Sequence, residues 1–235
     1  MTAPAPLRTP TATLALLLHL ADSSFPSGAF TASWGLEGLV ATGDVADEAG
    51  VERFVVDQVQ HRWAPFDRVV AHLVAEALRG DDPLAGVLEL DAVVEAMSLP
   101  PAQREASRAA GRTLLTSAGA LLGGHIEALR QALDAAGSPQ HLAVAHPLVF
   151  LSAGAALGEA EVVGGMQLVQ QLASAALRLG VIGHVAGQRV IAAGRRELVT
   201  ILAAPPAELR PAQFVPLAEI AMYRHQTLPA RMFRC

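Results

Sequence analysis

Apolar residues recur at three- and four-residue intervals along nearly the whole chain, and alternation with polar residues never lasts long enough to mark a strand. The pattern predicts an all-α fold, a single-domain globular bundle of about ten helices. The first helix is expected from Thr11 to Ala21, on the stripe Leu14, Leu17 and Leu18. A second is expected around Ser33 to Ala41, stopped by Gly43. Between them FPSGAF, Phe25 to Phe30, combines the fixed φ of Pro26 with the freedom of Gly28, and reads as a rigid corner.

Asp47 is placed to cap a third helix reaching about Trp63, with Val51, Phe54, Val55, Val59 and Arg62 along one face. Pro65 is expected to open the next helix, to about Leu78. Asp82 before Pro83 marks another start, and Ser98 ahead of Pro100 and Pro101 begins a longer helix to about Leu122. Later boundaries are expected at Gly137 to Pro139, Pro147, Gly158, Gly194 and the Pro205–Pro206 pair. The chain divides into a flexible segment 1–10, a helical domain 11–222 and a C-terminal tail 223–235.

Composition sharpens this picture. The 235 residues are 52% apolar and only 17% charged, so a surface covered by another protein is expected. From Ala135 to Gly194 only Glu159, Glu161, Arg178 and Arg189 carry formal charge, which fits a central core and a subunit interface equally well. Pro139, Gln140, His141, His146 and Pro147 interrupt the least charged run, so no membrane span is expected. Without a convincing leader before Asp22, the reading is cytoplasmic.

All 17 basic residues are Arg. Having no Lys removes P-loop phosphate chemistry and Schiff-base mechanisms, and a net charge of −5 argues against nucleic acid as a partner. No G-x-S-x-G elbow is present, and no nucleophile, base and orienting group fall into a readable pattern. A noncatalytic protein follows, with no catalytic residues and no stably bound cofactor. The eight His show no H-x-H or H-x-x-x-H pair, and His141 and His146, five apart, fit one helical face poorly.

Two arginine patterns point to binding. Arg104, Arg108 and Arg112 are four apart, lining one side of a helix where Glu105 is the only nearby acid; a solvated stripe and a docking surface for an acidic partner both fit. In the tail, Tyr223, Met232 and Phe233 interleave with Arg224, Arg231 and Arg234. Disordered termini are usually poor in such residues, so this tail is expected to order in a partner's groove.

Four stretches carry a family resemblance: LLHLADSSFPSGAFTASWGLE (17–37), SRAAGRTLL (107–115), RLGVIGHVAGQ (178–188) and IAMYRHQTLPARMFRC (220–235). In that order they resemble the urease accessory protein UreF family, collinearly from about Leu17 onward. The chain departs from the family pattern at Ala32, Ala109, Ala110, Gln226, Pro229 and Cys235.

The resemblance implies a dimerising helical adaptor that bridges UreD, also called UreH, to the GTPase UreG, in a complex that delivers nickel to apo-urease. It makes Arg224, His225, Arg231, Phe233 and Arg234 the expected partner contacts, with Arg104, Arg108 and Arg112 as a second patch. Phe25, Pro26, Gly28 and Phe30 would then shape one face of the adaptor, although packing alone accounts for them equally well. The rival reading is a metallochaperone that carries nickel on His225 and Cys235.

Overall fold

A computed structural model describes residues 9–28 and 31–235, and within them the chain is all-α with no strand. The helices α1 (Thr11–Ala21) and α2 (Leu36–Thr42) flank the corner. Next come α3 (Glu48–Gln58), a π-helical stretch (Val59–Asp67) and α4 (Arg68–Ala77). They are followed by α5 (Pro83–Met97), α6 (Pro101–Leu122), α7 (Gly124–Ala135) and α8 (Leu142–Ser152). The longest-range packing involves α9 (Leu157–Arg178), α10 (His184–Leu202) and α11 (Pro216–His225). No helix among the described residues is long and apolar enough to cross a membrane.

Several helix starts follow the sequence closely. Asp47 accepts from Gly50 N at 2.7 Å and Asp82 from Ala85 N at 3.0 Å, so both acids satisfy first-turn amides that have no intrahelical acceptor. Pro10, within the segment expected to be flexible, already accepts from Leu14 N at 2.9 Å; residues 1–8 lie outside the described part. Gly43 ends α2 as expected.

Other boundaries differ. Pro65 opens no helix: 48–77 is one continuous rod, and the ring sits inside its π-helical stretch. Proline has no N–H to offer the preceding turn, and the wider turn absorbs the defect: Arg68 N reaches back five residues to Trp63 O. Ser98 does not start α6 but donates from Oγ to Val94 O at 2.8 Å, closing α5. Pro147 and Gly194 lie inside α8 and α10, and Gly158 lies in the first turn of α9. At Gly194 an added Cβ would stand 2.8 Å from Val169 Cγ1, so that glycine serves helix contact rather than chain reversal.

The buried side chains form two clusters. One contains Trp34, Leu36, Phe54, Val55, Leu172, Val190 and Met222. The other contains Leu20, Phe25, Val70, Leu115, Leu148 and Phe150. The rod 48–77 feeds both, giving Val51 to Trp63 to the first and Phe66, Val70 and Val74 to the second. The nearly uncharged stretch 135–194 contributes to the central core, where Leu148, Phe150 and Leu172 are fully buried, while Val162 and Val185 remain exposed.

The expected division at residue 223 does not describe the packing. α11 runs through to His225, and Phe233 and Cys235 belong to the first buried cluster. In this structure the tail is therefore seated on its own chain.

Candidate functional site

The C-terminal segment is held by residues about 190 positions earlier. Glu37, buried on α2, accepts from His225 Nε2 at 2.6 Å, from Met232 N at 2.7 Å and from Phe233 N at 3.1 Å. Ser33 donates from both N and Oγ to the Cys235 main-chain oxygen at 2.6 Å, and Trp34 N donates to it at 3.1 Å. Arg234 N donates to Thr31 O at 2.9 Å, so the segment follows residues 31–37 hydrogen bond by hydrogen bond. From the other side the Arg178 guanidinium lies 4.2 Å from the Phe233 ring centroid, a cation–π contact. Three of the four sequence motifs thus meet at one place.

The tail residues singled out from sequence divide by facing. His225, Phe233 and Cys235 are buried anchors, whereas Arg224, Arg231 and Arg234 are exposed and make no ion pair among the described residues. Met232 is also exposed, as is Tyr223, whose hydroxyl donates to Leu99 O at 3.2 Å. Leu217 and Ile220 on α11 are exposed as well, so residues 217–234 carry exposed apolar groups together with three guanidinium groups that have no ion pair among the described residues. Aromatic and Arg side chains in such a mixture are the groups that dominate protein–protein contacts.

The alternative metal pair has a different character here. Burial pushes the Cys235 thiol up to about 11, so it is a thiol rather than a thiolate near neutral pH, and His225 Nε2 is already engaged by Glu37. Among the described residues no group of three or more His, Cys, Asp or Glu is arranged to hold a metal ion.

The second arginine patch separates into three situations. Arg108 makes a two-pronged contact with Glu95 of α5, its Nε at 2.8 Å from Oε2. Arg104 donates from Nη1 to Ser98 O and Leu99 O at 2.7 and 2.8 Å, closing the end of α5. Only Arg112 is exposed without an ion pair among the described residues. The stripe is not neutralised within its own helix but is partly neutralised by Glu95 of the neighbouring one, and an i, i+4 search does not reach an acid 13 positions earlier.

Around Glu95 a polar network ties α5, α6 and α8. Burial alone would raise the Glu95 carboxyl, but hydrogen bonds from Arg108 and His141 outweigh it and hold the group below its usual range. His141 is fully buried between Glu95, 2.7 Å from Nε2, and Ser107, 3.0 Å from Nδ1. Burial depresses the His141 pKa, opposed by Glu95. Asp91 accepts from Ser138 Oγ, and from Gln140 N and His141 N at 2.6 and 2.9 Å. None of these acceptors was legible as a site in the sequence.

The corner rests on α6. Phe25 is buried and meets His19 edge-on, with centroids 5.8 Å apart; Pro26 is exposed, and its carbonyl accepts from Ser117 Oγ at 2.9 Å. Gly28, at φ 69°, would place a Cβ 3.2 Å from Ala110 Cα. Phe30 lies outside the described residues. Gly28→Val is expected to cost about 1–2 kcal/mol from the left-handed backbone alone. An unchanged thermal midpoint would show that the turn can relax.

Comparison with known proteins fits these motifs. The UreF family model matches residues 45–194. A urease accessory protein UreF of Methylobacterium sp. (strain 4-46) is 34% identical over 231 residues, covering 93% of this chain and 87% of that relative. One from Cereibacter sphaeroides (strain KD131 / KCTC 12085) is 32% identical over 231 residues, covering 95% of this chain and 99% of its own. Another, from Mycobacterium marinum (strain ATCC BAA-535 / M), is 35% identical over 142 residues, covering 60% and 61%. With the family model spanning most of the chain and relatives matched almost end to end, this chain belongs to the urease accessory protein UreF family.

Proposed function

We propose that this chain is a noncatalytic, cytoplasmic adaptor of urease maturation that acts as a homodimer. It bridges UreD/UreH to the GTPase UreG and biases the state of that GTPase, while nickel passes to apo-urease as cargo of the assembled complex. The observation that carries this reading is the exposure, on the docked tail and α11, of Arg224, Arg231 and Arg234, without ion pairs among the described residues, together with Tyr223, Met232, Leu217 and Ile220. Such a surface suits a partner with acidic groups around an apolar centre. A stably bound metal or nucleotide is not part of the reading, since the chain lacks Lys and its only thiol is buried and protonated.

Simple deletion of 224–235 would remove Phe233 and Cys235 from the core and confound folding with binding. The cleaner variant reverses charge at the three exposed positions, Arg224→Glu, Arg231→Glu and Arg234→Glu. Each guanidinium is expected to contribute about 1 kcal/mol or more to the contact, so capture of UreD/UreH should weaken by about two orders of magnitude. Pull-down with UreD/UreH and UreG, after circular dichroism verifies the fold, reads the outcome. Undiminished capture of both partners would remove the tail surface from the mechanism.

A further inference from the structure

Beside the π-helical stretch lies a cavity that the docked tail does not fill, of about 80 Å³ and lined by Trp34, Arg62, Trp63, Asp67 and His146 among others. On the same measure one water needs roughly 10–15 Å³, so the space suits several waters or one ligand of a few heavy atoms. Two of its lining side chains are not hydrogen-bonded as buried groups normally are. Trp34 Nε1, Arg62 Nε and Arg62 Nη1 are all buried donors, and none has an acceptor among the described residues.

The Arg62 side chain is 8% exposed, and its guanidinium carbon stacks 3.8 Å from the Trp34 ring centroid. Its nearest carboxylate, Asp67, stands 3.6 Å from Nη2, beyond hydrogen-bond range. Burial pushes the Asp67 carboxyl up, against the pull of Arg62, so Asp67 is a weak counter-ion. The other acid at the cavity, Glu161, is taken by Arg68 at 2.6 Å and by His72 at 3.0 Å. Arg68 in turn donates to Ile201 O and Ala204 O at 3.1 and 2.7 Å. His146, also in the lining, bonds Gln167 at 3.0 Å, and burial takes its pKa down to about 4, so it brings no charge near neutral pH.

Two backbone features meet at the same cavity. Trp34 is a non-glycine residue at φ 55°, held there by the hydrogen bonds of residues 33 and 34 to Cys235. Arg62 and Trp63 come from the π-helical stretch, whose wider turn brings both onto one lining. Strained non-glycine residues and π-helical insertions both concentrate at functional sites.

We propose that this cavity binds a small planar oxyanion of formate size, its oxygens accepting from the Arg62 guanidinium and the Trp34 indole N–H. Water would satisfy the donors but leave the buried positive charge with Asp67, 3.6 Å away, as its one counter-ion. An oxyanion answers both needs. The site is independent of partner capture by the tail, so each can fail without the other.

The chain supplies its own reporter, because its two tryptophans, Trp34 and Trp63, both line the cavity. Titration of the full chain with sodium formate, against sodium chloride at matched ionic strength, should give a saturable change in indole fluorescence and a formate-specific rise in thermal midpoint. Arg62→Met should weaken formate at least tenfold, and Trp34→Phe should weaken it while leaving a Trp63 signal. A wild-type response that never saturates, or that chloride reproduces, means solvent only and overturns the proposal, whether or not the variants fold. Undiminished saturation in Arg62→Met overturns it as well.

Discussion

Replacing Glu37 with alanine is expected to release the last residues of the chain and to destabilise the fold by about 3–5 kcal/mol. The carboxylate takes three hydrogen bonds, from His225 and from the amides of Met232 and Phe233, in a site sealed from solvent. Alanine would leave those donors without an acceptor, and a buried donor stripped of a charged acceptor bears its full desolvation cost. His225 Nδ1 already lacks a partner among the described residues, so the ring has no second anchor. Amide hydrogen exchange should accelerate at Met232 and Phe233 well before the helical body opens. Glu37→Gln, which keeps one acceptor oxygen, should lie between. Exchange at those two amides as slow as in the parent would mean that Phe233 and Ser33 hold the segment without Glu37.

Gly111→Ala should be the most damaging change of a single carbon. A Cβ there would sit 1.9 Å from Gln140 O and 2.8 Å from His141 C, both backbone atoms of the approach to α8. Neither can rotate away, so α6 and the start of α8 must part, and with them the Ser107–His141–Glu95 network. Overpacking against backbone at this depth is expected to cost about 3 kcal/mol or more. For a chain of this size that corresponds to a fall of about 6–12 °C in thermal midpoint. Gly158→Ala is the control, since a Cβ there meets nothing within 4 Å, and it should move stability by no more than about 0.5 kcal/mol. Equal midpoints for the two variants would rule out the close approach at Gly111.

Local chemistry made much of the fold legible. Asp47 and Asp82 announce their helices because an N-cap acts on amides two or three residues away, within the reach of any reading window. Pro65, Pro147 and Gly194 mislead for a related reason. Their usual meaning as breakers assumes an isolated helix, whereas here the π-helical widening and contacts with Val169 and Val55 decide. For the site, the tail's aromatic and Arg content pointed to a partner's groove, whereas Phe233 and Cys235 pack on their own chain. Its seat was invisible, because Glu37 and Ser33 stand near the other end of the sequence and no spacing rule links them. Arg108 illustrates the same limit on a smaller scale, since its acid belongs to the preceding helix.

The rod formed by residues 48–77 has a further implication. Each residue added to or removed from a regular α-helix swings everything beyond it by about 100°. The broad turn at 59–67 sets the offset that lets Val51 and Phe54 look into one core while Val70 and Val74 look into the other. Residue count across this stretch is therefore constrained as well as residue identity. A side chain exchanged there acts on its own neighbours, but a lost or gained residue would re-aim half the rod and empty one of the two cores.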